Sequence, residues 1–339
     1  MPLRLRRSAT LLLAALVLSA CEAAYHPTAV PGSEARMSVQ ARRYVDSALY
    51  LMESYSLHKH EIDWARFREE TYMRANGAEI PAHTYPALSQ ALRRLDEHSF
   101  FSPPSTAIVP PRGLWPDMGG AVVAGRFGYV RTQRYGGSDP DGHAQAYHDL
   151  IRGLDTGAVC GWIVDMQGNP GGNMWPMLAG VGPVLGEGRS GTFIDADSVR
   201  TPWFYADGAA GIERGGQRVT VTRVPRPYRL RRENPPVAVL TGINTASAAE
   251  AVVIAFRGRP GSRSFGGMTA GLPTANTSYE MRDGAYVVLT TAWEADRNGV
   301  VYKGRIAPEE PVIGAGGDAA NAAMAWLAQQ PACQESAGG

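Results

Sequence analysis

Lysine is almost missing from this 339-residue chain: Lys59 and Lys303 are its only two, and arginine carries nearly all the positive charge. Chemistry that needs an amine as a proton acceptor therefore has two candidates at most, because arginine stays protonated. Cysteine is scarce too, with only Cys21, Cys160 and Cys333. No Cys/His/Asp cluster has metal-ligand spacing. His58 and His60 lie two apart and would point to different faces of a helix, so no metal and no cofactor is expected. A Gly-x-Ser-x-Gly elbow is absent, which removes one common way of presenting a nucleophilic serine. Neither sign of charge dominates, with 33 basic against 32 acidic residues and a net charge of +1. That balance leaves no basic face for a phosphate backbone and excludes nucleic acid as a partner. There is no internal repeat and no low-complexity tract.

What is present begins with a serine at a strand-to-helix junction. Val237-Ala238-Val239-Leu240 reads as a buried strand, Ala248 to Phe256 as a helix of small and branched apolar residues, and Thr241-Gly242-Ile243-Asn244-Thr245-Ala246-Ser247 joins them. Ser247 is therefore expected at a helix N-terminus, where free backbone N–H groups and the positive end of the dipole suit an oxyanion. The same position suits an ordinary N-cap. A second strand, Val159-Cys160-Gly161-Trp162-Ile163-Val164-Asp165, opens into Gly168-Asn169-Pro170-Gly171-Gly172 before a helix near Met174. The Gly-Gly pair allows a sharp turn that points amides into a cleft.

Together with Gly266-Gly267-Met268-Thr269-Ala270-Gly271 and Gly304-Arg305-Ile306-Ala307-Pro308-Glu309, these blocks resemble, in order, the S41 peptidases, the tail-specific and tricorn-type serine proteases. The resemblance implies an α/β fold, a ClpP/crotonase-like ββα core with a small N-terminal helical domain. It also implies acyl transfer to Ser247, with an oxyanion hole from the Ala248 amide and Gly171, or Gly172 in second place. Tail-specific members activate the serine with a lysine, but that position here is Leu272, which accepts no proton. The tricorn-like branch uses a histidine, and Asp96-Glu97-His98-Ser99 resembles its Asp-Gly-His-Ser element, making His98 the expected general base and acid. The alternative for His98 is a histidine placed favourably at a helix end. His26, His58, His60, His83, His143 and His148 lie in no family block. The glutamate expected to orient the imidazole is replaced by Lys303, so no third member is assigned, and a desolvated Lys303 is kept as an alternative base.

The chain ends bear on location. Arg4, Arg6 and Arg7, an apolar stretch from Ala9 to Leu18, and Leu18-Ser19-Ala20-Cys21 read as a secretory signal of the bacterial lipoprotein type, residues 1–20, with Cys21 lipidated. An ordinary signal cleaved near Ala23-Ala24 is the alternative. Removal of residues 1–20 takes away three arginines and no acid, moving the formal charge from +1 to −2. Glu22 after the cysteine suggests the periplasmic face of the outer membrane. In that oxidising compartment Cys160 and Cys333 could pair, holding a C-terminal helix to the core.

The expected organisation is a tether over 21–37, a helical domain over 38–105, and a peptidase core over 120–330, in which about 189–234 is a β-rich insertion walling the cleft or, equally, ordinary core strands. About 30 residues separate His98 from the first core strand, too few for a PDZ module. The functional expectation is a serine-type peptidase hydrolysing unstructured or short peptides in the cell envelope, its partners being peptide or unfolded protein and, through Cys21, the membrane. Two alternatives stay open: a catalytically weak or inactive peptide-binding lipoprotein on the same fold, and a crotonase-like acyl-thioester enzyme.

Overall fold

The computed structural model describes residues 36–104, 118–314 and 316–334. The expected signal, Cys21 and all of the tether before residue 36 lie outside them. No helix among the described residues is long and apolar enough to cross a membrane.

The described residues open with three helices: α1 (Val39–Tyr55), α2 (Trp64–Arg74) and, after a 3-10 turn at Pro81–Thr84, α3 (Tyr85–Leu95). Ser38 and Asp63 cap the first two by accepting the N–H of Ala41 and Arg66, which satisfies helix-start donors with no intrahelical partner. Their apolar rows, among them Val45, Leu49 and Met52 of α1 and Leu88 and Leu92 of α3, are buried together with Val287 and Leu289. The helical region thus shares its core with a β-hairpin near the far end of the chain.

Next come β1 (Phe100–Ser102), β2 (Gly119–Val123), β3 (Phe127–Arg131), α4 (Pro140–Leu154), β4 (Gly161–Asp165), α5 (Met174–Gly180) and α6 (Gly182–Leu185). An antiparallel run follows, β5 (Gly188–Asp195), β6 (Arg200–Ala206), β7 (Ala209–Arg214) and β8 (Gln217–Arg223). The chain closes with β9 (Val237–Thr241), α7 (Ala248–Phe256), β10 (Ser262–Gly266), β11 (Thr274–Glu280), β12 (Tyr286–Ala295), β13 (Val301–Tyr302), β14 (Glu310–Pro311), α8 (Gly316–Ala328) and α9 (Pro331–Gln334).

Two sheets result. One has six strands in the order β14-β10-β9-β4-β3-β2, parallel except for β2. Its central strands are buried on both faces, as parallel strands between helical layers must be. Trp162, Val164, Val237 and Val239 face a core shared with α4, α5 and α7, while Ile163, Ala238 and Leu240 face α8. Every residue of α7 is buried, which accounts for a sequence that is apolar all round except at Glu250. The other sheet has eight strands, β1-β12-β5-β6-β7-β8 with β11 and β13 also on β12. The strands of the expected insertion, β5–β8, therefore continue a wall that β12 begins. This mixed α/β architecture, with its small N-terminal helical region, is the expected fold class.

Cys160, before β4, is bonded to Cys333 in α9, with Cα atoms 5.0 Å apart across 173 residues of sequence. The closed loop spans most of the α/β core, so the bond restricts the unfolded chain strongly. Cys333→Ser is expected to lower unfolding stability by about 2–5 kcal/mol, read by urea denaturation under non-reducing conditions. Wild-type protein treated with reductant should move to the same midpoint.

Candidate functional site

The site lies at the carboxyl ends of β4 and β9, where open parallel sheets present their loops. Both strands end in turns that lead into a helix, and the turns are stitched together. The Ala246 N–H donates to the Asn169 carbonyl (3.1 Å), and Thr245 Oγ1 donates to the Met166 carbonyl (2.9 Å). Between them Ser247 takes φ +54° and ψ −122°, a conformation that side chains other than glycine's rarely adopt. Such a backbone costs on the order of 1–3 kcal/mol and persists where the surroundings enforce it. The enforcement here comes from Glu250, one turn into α7.

Glu250 is fully buried and accepts four hydrogen bonds: from Ser247 N–H (2.8 Å), Thr269 Oγ1 (2.5 Å), Gly271 N–H (3.0 Å) and Leu272 N–H (2.8 Å). Burial raises its pKa and the four donors pull against that rise. One carboxyl thus ties the serine turn to the Gly267–Gly271 turn. The spacing Ser-x-x-Glu at a helix start was the available signal for this role.

Two glycines behave differently. Gly171 (φ +96°) is packed so closely that a Cβ would lie 2.6 Å from the Ala246 carbonyl oxygen and 2.9 Å from Ser247 Cβ. It is buried, and its N–H is taken by Asn169 Oδ1 at 2.9 Å. Gly172 (φ +119°) is exposed and lines the cavity together with Ser247 and Ala248. Among the described residues no acceptor engages the N–H of Gly172 or of Ala248. Sequence placed Gly171 before Gly172; here the buried side chain of Asn169 occupies the first amide, while Gly172 lines the cavity.

His98 follows α3 and lines the same cavity. Its Nδ1 lies 2.7 Å from Thr274 Oγ1, its N–H donates to Asp96 Oδ1 (2.8 Å), and Asn276 Nδ2 donates to its carbonyl (2.9 Å). Asp96 also accepts from Thr290 Oγ1 (2.9 Å), so the turn is anchored to β12. Burial pushes the His98 pKa below its ordinary value, and the charge of Asp96 pulls it partly back. The imidazole is therefore neutral near pH 7. Its ring is oriented by a hydroxyl, Thr274, where sequence had left the third position empty.

Two other sequence candidates fall away from the centre. Lys303 is exposed, with Nζ 5.4 Å from the centre of the Trp293 ring and outside the residues that line the cavity. It lacks the burial on which its reading as an alternative base depended. Leu272 does line the cavity, and its N–H is held by Glu250. Lys59 also lines it, but its Nζ pairs with Asp197 at 2.5 Å. No group of three or more metal-ligating side chains occurs among the described residues.

The cavity is about 1450 Å³. That exceeds the roughly 300–1,000 Å³ of small-molecule sites and suits an extended chain.

A sequence profile of peptidase family S41 matches residues 126–312. The chain is 27% identical over 298 residues to the nisin-resistance protein of Lactococcus lactis subsp. lactis, covering 85% of this chain and 87% of that protein. A lipoprotein from Streptococcus agalactiae superposes with a TM-score of 0.68 at 20% identity, over 85% of this chain and 96% of that one. The photosystem II D1 C-terminal processing protease does so with a TM-score of 0.55 at 16% identity, over 80% and 93%. At those identities the two structures establish a shared fold.

Proposed function

The chain belongs to peptidase family S41, and from that membership we propose that it is a serine peptidase cleaving unstructured or short peptides in the bacterial cell envelope. The observation that carries this reading is the strained Ser247 at the start of α7, opening on the cavity that His98 also lines. In the tautomer whose Nδ1–H donates to Thr274, the Nε2 of a neutral His98 holds the lone pair that would take the Ser247 proton. Ser247 Oγ then adds to the peptide carbonyl, and the free amides of Ala248 and Gly172 stabilise the developing oxyanion. The imidazolium returns its proton to the leaving amine, and water releases the acyl group by the same steps.

We place the protein at the envelope by a lipid on Cys21, at the periplasmic face of the outer membrane. Globomycin treatment of the expressing cell, which blocks lipoprotein signal removal, should then leave a heavier precursor. The relative named for nisin resistance makes nisin a substrate to include in the first hydrolysis assays beside unstructured peptides. Hydrolysis by the wild type and none by Ser247→Ala supports the proposal, and no hydrolysis of any peptide by either opposes it.

Thr274 enters as a positioning residue. Thr274→Val should lower kcat by about tenfold with a smaller change in KM, because it removes the bond that orients the ring while keeping the shape. Thr274→Ser should restore most of the loss. Equal rates for wild type and Thr274→Val would remove Thr274 from the mechanism.

A further inference from the structure

Glu294 is a buried carboxyl that the mechanism does not use. It lies on β12, is 2% exposed, and lines the cavity with Ser247. Its Oε2 is buried without a hydrogen-bond partner among the described residues. Native proteins rarely keep such a group, because an unpaired buried carboxyl costs stability that an apolar side chain would not.

Its surroundings offer no internal remedy. Glu250 is near enough to repel it and is already saturated by four donors. Among the cations lining the cavity, Lys59 is engaged by Asp197, and Arg134 and Arg214 are exposed. Burial, with the charge of Glu250 added, holds the Glu294 pKa well above the carboxylate range.

The walls around it are apolar and aromatic. Phe193 is the cross-strand neighbour of Glu294, so both side chains leave the same face of the sheet. Trp175 meets Phe193 edge to face at 6.1 Å, and Ile212 and Ala292 also line the cavity. The backbone connects this corner to the nucleophile: the Glu294 N–H donates to the Pro273 carbonyl (3.2 Å), beside Leu272, whose N–H shares the Glu250 carboxyl with Ser247 N–H. A long side chain with an apolar stem and a charged tip matches both features, because arginine and lysine lay their methylenes on apolar or aromatic surface and pair at the end.

We infer that Glu294 is the recognition group of a subsite that takes a guanidinium or ammonium side chain of the peptide, next to the bond that Ser247 attacks. The inference rests on the peptidase reading of the same cavity. A docked cation gives the buried Glu294 oxygen the partner that it lacks, and the pair is satisfied away from water.

Two fluorescent peptides decide it, identical alanine-rich chains carrying one arginine or one citrulline, which keeps the shape and removes the charge. Wild type should cleave the arginine peptide with a kcat/KM roughly 10- to 100-fold above the citrulline peptide, at a bond adjoining the arginine. Glu294→Gln should bring that ratio to within about threefold of unity. No preference in the wild type, or an equal loss on both peptides in Glu294→Gln, overturns the inference. Thermal melting separates a structural role: Glu294→Gln should melt at or above the wild-type temperature, since it removes an unpaired buried acid. A lower melting point together with an unchanged ratio would make Glu294 structural.

The same peptides titrated by anisotropy against Ser247→Ala and Ser247→Ala/Glu294→Gln test the subsite without catalysis. An arginine preference lost in the double variant upholds the subsite even if the wild type cleaves nothing, an outcome in which only the peptidase reading falls. Absence of that preference in Ser247→Ala rejects the subsite even if peptides are cut.

Discussion

Ser247→Ala is expected to lose roughly 10⁴–10⁶-fold in kcat while still binding peptide, because the acyl-transfer route runs through Ser247 Oγ. The fold should survive the change. Ser247 holds its turn through its N–H and carbonyl, which bond to Glu250 Oε2 and to the N–H groups of Glu250 and Ala251, and alanine keeps all three bonds. Its left-handed φ of +54° remains strained with alanine, so the melting temperature should change by only a few degrees. Turnover in Ser247→Ala within tenfold of wild type would mean that another group performs the chemistry.

His98→Ala should reduce kcat by roughly 10²–10⁴-fold with a smaller effect on KM, since proton transfer matters in the transition state. The pH profile carries more information. Only neutral His98 accepts the serine proton, and burial lowers its pKa below the ordinary 6.5. The rate constant kcat/KM should therefore rise with pH through a value below 6.5, be flat across neutral pH, and fall on acidification as the imidazole protonates. A rising limb near 8 would point to an amine instead, and Lys303→Met separates the two. It should retain activity, because Lys303 is exposed against Trp293 and outside the cavity lining. An inactive, folded Lys303→Met beside an active His98→Ala would reverse the assignment.

The parts of this site that were legible in the sequence are those set by local periodicity. A continuous apolar run ending in Thr241 and an apolar helix from Ala248 place Ser247 at the junction whatever the rest of the chain does. The strand ending at Asp165 and the Gly-Gly turn are local in the same sense. His98 was reachable by motif order alone, because its partner Thr274 lies 176 residues away and is brought to it by the β1 and β11 pairings on β12. Glu294 gave no signal at all: its significance depends on β5 and β13 lying beside β12, which places its carboxyl in the cavity wall.

The choice between Gly171 and Gly172 was equally closed to sequence. It turns on one side-chain acceptor, Asn169 Oδ1, that occupies the first amide. Lys303 shows the opposite error, a residue type suited to catalysis at a family position whose exposure denies it the role. The β5–β8 strands were recognisable by composition, yet β8 exposes six of its seven residues, so nothing local indicated that they extend the β12 sheet.

Activation of Ser247 is tested most directly by intact-mass measurement of the protein after exposure to a fluorophosphonate, with the adduct mapped by peptide sequencing. The arrangement around Ser247 predicts one adduct, on Ser247, formed by wild type near neutral pH, strongly slowed in His98→Ala and absent in Ser247→Ala. An unmodified wild-type protein, under conditions that label a control serine peptidase, would contradict an activated serine and leave a peptide-binding protein on a peptidase fold.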